Sequence, residues 1–261
     1  MGKNKLKKFA DLEQNPLVLQ YPFGPLSAEP FALRGRWGAD FFGNDRPIVL
    51  ELGCGKGEYT VGMARADASR NFIGIDIKGA RIWTGATAAL RSGMTNVAFL
   101  RTSIELLERF FAPGEVAEIW ITFPDPQMKK ASKRLTGTRM MGVYSHVMAP
   151  GGRIHLKTDS PFLYAYTRLM ADRNGLVVGL DIADVHGSAD GPDYLRDIRT
   201  HYEQQWLDRG LTIKYLSFTV PAPDAILAEP PEAAELAPDT YRSYSRGYIQ
   251  MPQLIADKDT E

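Results

Sequence analysis

The chain has 261 residues, 44% of them hydrophobic, which suits one α/β domain with additions or at most two small domains. Lys plus Arg and Asp plus Glu number 31 each, so the formal net charge is zero and any footprint for a polyanion has to be local. The single cysteine, Cys54, excludes an internal disulfide and fits a reducing compartment, and no apolar run approaches membrane-spanning length.

Residues 1–46 show no clear period. Lys3, Lys5, Lys7 and Lys8 make a basic tip with no apolar stretch behind it, unlike a secretory signal, and the plain reading is a solvated terminus. Pro16–Pro30 is rich in Pro and Gly and is expected to be irregular. Trp37, Phe41 and Phe42 are expected to cover the core, with Gly43-Asn44-Asp45 as a turn. From Ile48 short apolar runs alternate with helix-like segments. Strands are predicted at Ile48–Leu52, Asn71–Asp76, Val97–Arg101, Ala117–Phe123 and Arg153–Thr158. Helices are predicted at Tyr59–Ala66, Gly79–Ser92, Ile104–Phe111, Arg139–Met148 and Pro161–Asn174. Strand–helix alternation implies a doubly wound, mostly parallel sheet with helices on both faces. Leu176–Ile182 and Leu211–Val220 are strand-like, with Glu203–Arg209 helix-like between them; such late strands often pair antiparallel at one edge. Pro221–Thr240 has five prolines and five acids without a base, and is expected to be an irregular acidic loop or a poorly ordered extension. Tyr241–Gln253, with Arg242, Arg246 and aromatic residues, is expected to dock back. The expected division is a basic, largely irregular segment (1–46), an α/β domain (47–220) and an acidic Pro-rich extension (221–261).

Leu50–Asp76 reads as strand, glycine turn, helix and strand. Gly53 and Gly55 allow a tight turn and close backbone approach to a ligand. A dinucleotide fingerprint needs a third glycine at 58, where this chain has Glu58, and an acid at the helix start also disfavours a pyrophosphate. Glu51, under the turn, can organise the loop or attract an ammonium group. Asp76, 23 residues after Gly53, ends the second strand, where it can accept both ribose hydroxyls. Together they favour S-adenosylmethionine over a nicotinamide cofactor; an ordinary strand-end turn with two solvated carboxylates is the bland alternative. Cys54 reads as a small residue filling the turn, with no histidine beside it in sequence to activate it.

Ile119-Trp120-Ile121-Thr122-Phe123-Pro124-Asp125-Pro126 is a buried strand ending in an acid between two prolines. Phe123 and Asp125 each precede proline and are expected to be extended, which makes the loop stiff. A stiff acid at the carboxyl edge of a parallel sheet stands where open α/β folds place chemistry. Lys129, Lys130, Lys133, Arg134 and Arg139 follow with no acid among them, which points to phosphate contacts or to a solvated loop.

With LELGCGKGEY, NFIGIDIKGARIW, TFPDPQMKK with KRLT, APGG with LKTD, and THYE in this order, residues 41–218 resemble the tRNA (guanine-N7)-methyltransferase family. The resemblance implies a Rossmann-like, S-adenosylmethionine-dependent enzyme acting on tRNA, in the variable loop, in the cytoplasm, without metal or membrane. It implies that Glu51, Gly53, Gly55, Asp76, Ser103 and Asp125 line the cofactor pocket and that Asp125 is catalytic. Lys129, Asp159, Thr200, His201, Tyr202 and Glu203 would meet the substrate. The family commonly has Asp at the position of Ser103 and often Trp at that of Gln127, and Ala131-Ser132 thin the basic run here. Guanine N7 carries a free lone pair, so the expected work is positioning, with Asp125 facing the charge that develops on the purine. Asp159 or Glu203 could accept from the base's N1–H and amino group, and Tyr202 either stacks on a flipped base or faces the core. The four histidines have no metal-ligand spacing. Rival readings are a methyltransferase for another RNA, small molecule or protein, and a non-catalytic RNA-binding module.

Overall fold

A computed structural model describes residues 3–23 and 30–242. Its centre is an eight-stranded sheet in the order β1-β4-β3-β2-β5-β6-β8-β7. The strands are β1 (Val18–Gln20), β2 (Ile48–Leu52), β3 (Asn71–Ile75), β4 (Val97–Arg101), β5 (Val116–Thr122), β6 (Met148–Thr158), β7 (Val178–Ile182) and β8 (Lys214–Thr219). The pairs from β1 through β6 are parallel, and β8 lies antiparallel between β6 and β7. The antiparallel edge matches the expectation from sequence. The helices are α1 (Lys3–Glu13), α2 (Glu58–Ala66), α3 (Gly79–Arg91), α4 (Leu107–Phe110), α5 (Thr138–Val147), α6 (Pro161–Arg173), α7 (Tyr194–Asp197) and α8 (His201–Leu207).

The central strands are buried on both faces, so successive residues feed two different cores. Leu50, Leu52, Ile73, Ile75, Ile119 and Ile121 pack with α4, α5 and α6. Val49, Phe72, Phe99 and Trp120 pack with α2 and α3. Glu51 takes the second side by the same alternation and so faces α2. The chain runs outward from β2 to β3 and β4, then returns to place β5 on the other side of β2. That reversal opens a crevice at the carboxyl ends of β2 and β5, the usual ligand position in open α/β sheets.

Three expectations are corrected. Residues 3–20 are not irregular: α1 packs on α3, with Leu12 buried, Lys8 Nζ 4.5 Å from the Trp83 ring centre and Trp83 Nε1 donating to Asp11 at 2.8 Å. β1 extends the sheet beside β4. Residues 221–242, expected as an irregular loop or a poorly ordered extension, have no strand and only short 3₁₀ turns at Pro231–Glu235 and Thr240–Arg242, yet they are docked, because Pro blocks a ladder but not burial. Leu227, Ala233 and Leu236 pack on the core, and Glu229 accepts from Thr138 Oγ1 (2.6 Å) and Tyr166 Oη (2.8 Å). Phe123 is not extended: its φ is +48°, in the left-handed region. Of the segment expected to dock back, Tyr241 does so, and residues 243–253 lie outside those described.

Candidate active site

The glycine turn leaves β2 with Gly53, Gly55 and Gly57 at φ of +73°, +56° and +70°. Such values suit glycine because it has no Cβ to clash. The N–H groups of Gly53 and Cys54 both donate to Ile75 O, at 2.8 and 3.0 Å, so the turn is tied to the end of β3. A Cβ on Gly53 would meet no protein atom within 4 Å, so that side faces open space. A Cβ on Gly57 would strike Phe99, which lets α3 approach through Gly85. Cys54 is buried beside Glu51 and Asp76, and burial raises its thiol pKa well above the usual value. It fills the turn and is no nucleophile.

Two cavities meet at Gly53. One, ≈ 260 Å³, is lined by Glu51, Lys56, Glu58, Arg81, Thr122, Phe123, Asp125, Thr200, Tyr202 and Trp206. The other, ≈ 480 Å³, is lined by Asp76, Ile77, Thr102, Ser103, Ile104, Gln127 and Lys133 among others. Together they match the size of a nucleoside-type site. A third, more apolar cavity of ≈ 200 Å³ beside Trp120 and Arg70 shares no lining residue with the glycine turn.

Glu51 is 1% exposed. One oxygen accepts from the Thr60 N–H (2.8 Å) and hydroxyl, the other from Thr122 Oγ1 (2.6 Å). Burial pushes its pKa up to about 7, with the Thr122 and Thr60 hydrogen bonds opposing and the Asp76 charge adding to the rise. Asp76 accepts from Gly55 N (3.0 Å) and Lys78 N (2.8 Å), which fixes its carboxylate at the junction of the two cavities. Asp125 is exposed, and its Oδ1 accepts from Gln127 N at 3.0 Å, an Asx-type turn. Phe123 and Gln127, at φ +48° and +47°, bracket it. Arg134 holds the loop from below by donating to Gln127 O and Met128 O, with its guanidinium over the Tyr166 ring at 4.2 Å.

S-adenosylmethionine fits this donor set. The Glu51 and Asp76 carboxyls could meet an ammonium and a ribose, and the cations Lys56 and Arg81 could meet the amino-acid carboxylate. Thr102 Oγ1, wholly buried on the wall of the second cavity, has no hydrogen-bond partner among the described residues, and Ser103 lies beside it. A base edge can supply that partner.

The substrate-side candidates divide. Tyr202, 38% exposed, and Thr200 line the first cavity. Thr200 also caps α8, accepting from Glu203 N at 3.1 Å. His201 is exposed, and its N–H donates to Glu58 Oε2 at 3.0 Å. Lys129 is exposed and lines neither cavity. Glu203 is wholly buried in an ion pair with Lys157 at 2.8 Å, with His186 Nε2 at 2.9 Å. Asp159, also buried, accepts from Tyr241 Oη at 2.7 Å. The five bases are not all unpaired: Arg139 bonds Glu105 at 2.7 Å and Arg134 is 6% exposed, which leaves Lys129, Lys130 and Lys133 on the surface. His155 is packed, stacked on Trp120 at 4.2 Å with Nδ1 at 2.7 Å from Tyr215 Oη. Among the described residues no three of His, Cys, Asp and Glu are grouped to hold a metal, and no helix is long and apolar enough to cross a membrane. Sequence reading missed Lys56, Arg81, Thr102 and Trp206, which line the cavities, and Tyr241, which packs on Trp206. Only Trp206 had a signal, its i+4 spacing from Tyr202 along a helix.

A family model described as "Putative methyltransferase" matches residues 45–216. The tRNA (guanine-N(7)-)-methyltransferase of Porphyromonas gingivalis is 61% identical over 90% of this chain and 96% of its own length. That of Bacteroides thetaiotaomicron is 56% identical over 94% and 96%. Among solved structures, the 16S rRNA (adenine(1408)-N(1))-methyltransferase from Catenulisporales acidiphilia superimposes with a TM-score of 0.53 at 15% identity, covering 77% of this chain and 98% of that one. A 30S ribosomal A1408 methyltransferase from an uncultured bacterium gives 0.52 at 15%, covering 70% and 92%. These two likenesses establish the fold.

Proposed function

The chain belongs to the tRNA (guanine-N(7)-)-methyltransferase family, and on that premise we propose how the residues around Gly53 divide the work. The activity is transfer of the S-adenosylmethionine methyl group to N7 of a guanine in tRNA. Our assignment puts the nucleoside half of the cofactor in the cavity of Asp76, Thr102 and Ser103. It puts the amino-acid half beside Glu51, Lys56 and Arg81, and the guanine between Asp125 and the α8 wall of Thr200, Tyr202 and Trp206. The observation that carries it is that two carboxylates suited to the cofactor and a third on a stiff loop share one crevice at the switch point. The variable loop of tRNA as target and the cytoplasm as location are parts of the same proposal.

When bound, the cofactor supplies an electrophilic sulfonium methyl. The N7 lone pair needs no base to free it, so these residues act by positioning. Asp125, fixed by its Asx turn, stabilises positive charge arising on the purine. Glu203 and Asp159, both buried, hold the wall in place, Glu203 through Lys157 and Asp159 through Tyr241.

The test is incubation with unmodified tRNA and S-adenosylmethionine, with the product nucleoside mapped by mass spectrometry. N7-methylguanosine at one variable-loop position is expected; methylation elsewhere rejects the target assignment. Asp125→Ala should lower kcat by about 10²–10³-fold while calorimetry still detects cofactor binding. Wild-type turnover in that variant removes Asp125 from the mechanism.

A further inference from the structure

The segment after β8 lies beyond the family-matched residues 45–216, yet its Tyr241 packs on Trp206, which lines the cavity. It crosses the face covered by α5 and α6 and then the carboxyl edge of the sheet. There Asp239 accepts from Ser160 Oγ and from Phe162 N–H at 3.1 Å, and its own N–H points to Met128 Sδ at 3.1 Å. Two residues on, Tyr241 Oη donates to Asp159 Oδ2 at 2.7 Å, and its ring meets Trp206 edge-on at 5.5 Å and 71°. Asp159 and Ser160 directly follow β6, Met128 follows the Asp125 loop, and Trp206 belongs to α8. Tyr241 thus joins the sheet edge to the cavity wall.

We propose that Tyr241 and Asp239 are positioning residues for the guanine side of the cavity, and that residues 221–242 act as a strap fixing α8 against the end of β6. The inference rests on the reading above that α8 walls the guanine. α8 has seven residues, too short to be stable without tertiary support. Its start is held by the Thr200 cap and the Glu203–Lys157 pair, its far end by Tyr241 against Trp206. The hydroxyl–carboxylate bond is charge-assisted and part-buried, which makes it directional. Asp76, Thr102 and Ser103 line the other cavity, so the strap's effect falls on the base and leaves the nucleoside half of the cofactor in place.

Tyr241→Phe keeps the ring and removes the hydroxyl. Steady-state kinetics against tRNA should show kcat/KM lowered about tenfold, the value of one hydrogen bond to a charged group. The calorimetric affinity for S-adenosylmethionine should fall by much less than the tRNA parameter, and the unfolding midpoint by no more than a few degrees. Tyr241→Ala should cost about a hundredfold, as expected when a wall shifts by about 1 Å. Asp239→Asn should move the same parameter in the same direction. Discrimination between tRNA carrying guanosine and tRNA carrying inosine at the target should fall in Tyr241→Phe, which a purely structural role would not produce. Unchanged tRNA kinetics in all three variants overturn the inference, as does equal loss for tRNA and cofactor. A gain in kcat/KM also overturns it, since it would make the hydroxyl a competitor for Asp159. Trp206→Ala separates the two layers. If it keeps wild-type tRNA kinetics, the α8 reading fails and the strap with it. If it is impaired while Tyr241→Phe is not, the strap alone fails.

Discussion

Glu51 is a glutamate whose surroundings oppose its charge. Its folded pKa of about 7 lies above the ordinary 4.5, so the folded state binds the proton more tightly than the unfolded chain does. Stability from this group is therefore fully present below pH 4.5 and is lost as pH rises through 7, by roughly 3 kcal/mol. Glu51→Gln removes the titration. Its amide oxygen can still accept from Thr60, and its NH₂ can donate to Thr122 Oγ1. The variant should unfold at a higher temperature than the parent at pH 8 and at nearly the same temperature at pH 5, while binding S-adenosylmethionine more weakly. Equal melting shifts at both pH values would mean that the carboxylate is not raised.

At the scale of elements, the site is a junction of β2, β5, β6 and α8, and the Lys157–Glu203 pair is its pin. Lys157 also donates to Leu195 O at 2.6 Å, so β6, α7 and α8 meet on one ammonium. Glu203→Ala leaves that ammonium buried without its counter-charge and should cost about 3–5 kcal/mol in urea denaturation. Adding Lys157→Met should restore much of the loss, because no buried charge then remains. A single variant as stable as the parent would show that the pair does not hold α8. These elements differ in how readable they were. β2, β3 and β4 are five-residue apolar runs between polar ends, and the bounds expected for them agree with those observed to within a residue. α1 was missed because only Phe9 and Leu12 of its apolar residues reach α3, too few for a visible period, and β1 is three residues long. The strap was missed because prolines and acids usually signal solvation, whereas here Glu229 and Asp239 are hydrogen-bond anchors. The left-handed φ of Phe123 ran against the rule for residues before proline. Hydrogen bonding of its N–H to Lys157 O at 2.8 Å holds that turn. Glu51 and Asp76 were legible because both end strands in the motif itself. Thr102 and Tyr241 were not, since only the fold brings Thr102 to a cavity wall and Tyr241 against Trp206.

The whole molecule is neutral, so a polyanion is met by local charge. Lys129, Lys130 and Lys133 stand exposed beside the Asp125 loop, while two acids of the strap have internal partners: Glu229 on Thr138 and Tyr166, and Asp239 on Ser160 and Phe162. The positive patch is therefore small and lies next to the crevice. Lys129→Glu with Lys130→Glu should raise the KM for tRNA and flatten its dependence on salt, by roughly 0.7–0.9 in the log–log slope for each phosphate no longer neutralised. A slope equal to the parent's would place the tRNA elsewhere on the surface.

With the cofactor's ammonium beside Glu51, as proposed above, ligand binding becomes a proton-exchange event. A cationic ammonium beside it favours the ionised form, so cofactor uptake near pH 6–7 releases protons to the buffer. The same ionisation that weakens the empty fold thus strengthens the loaded one. The rise in melting temperature given by a fixed concentration of S-adenosylmethionine should then be larger at pH 8 than at pH 6. The apparent binding heat near neutrality should differ between phosphate and Tris by the difference in their ionisation heats. Identical heats in both buffers would uncouple Glu51 from the ligand.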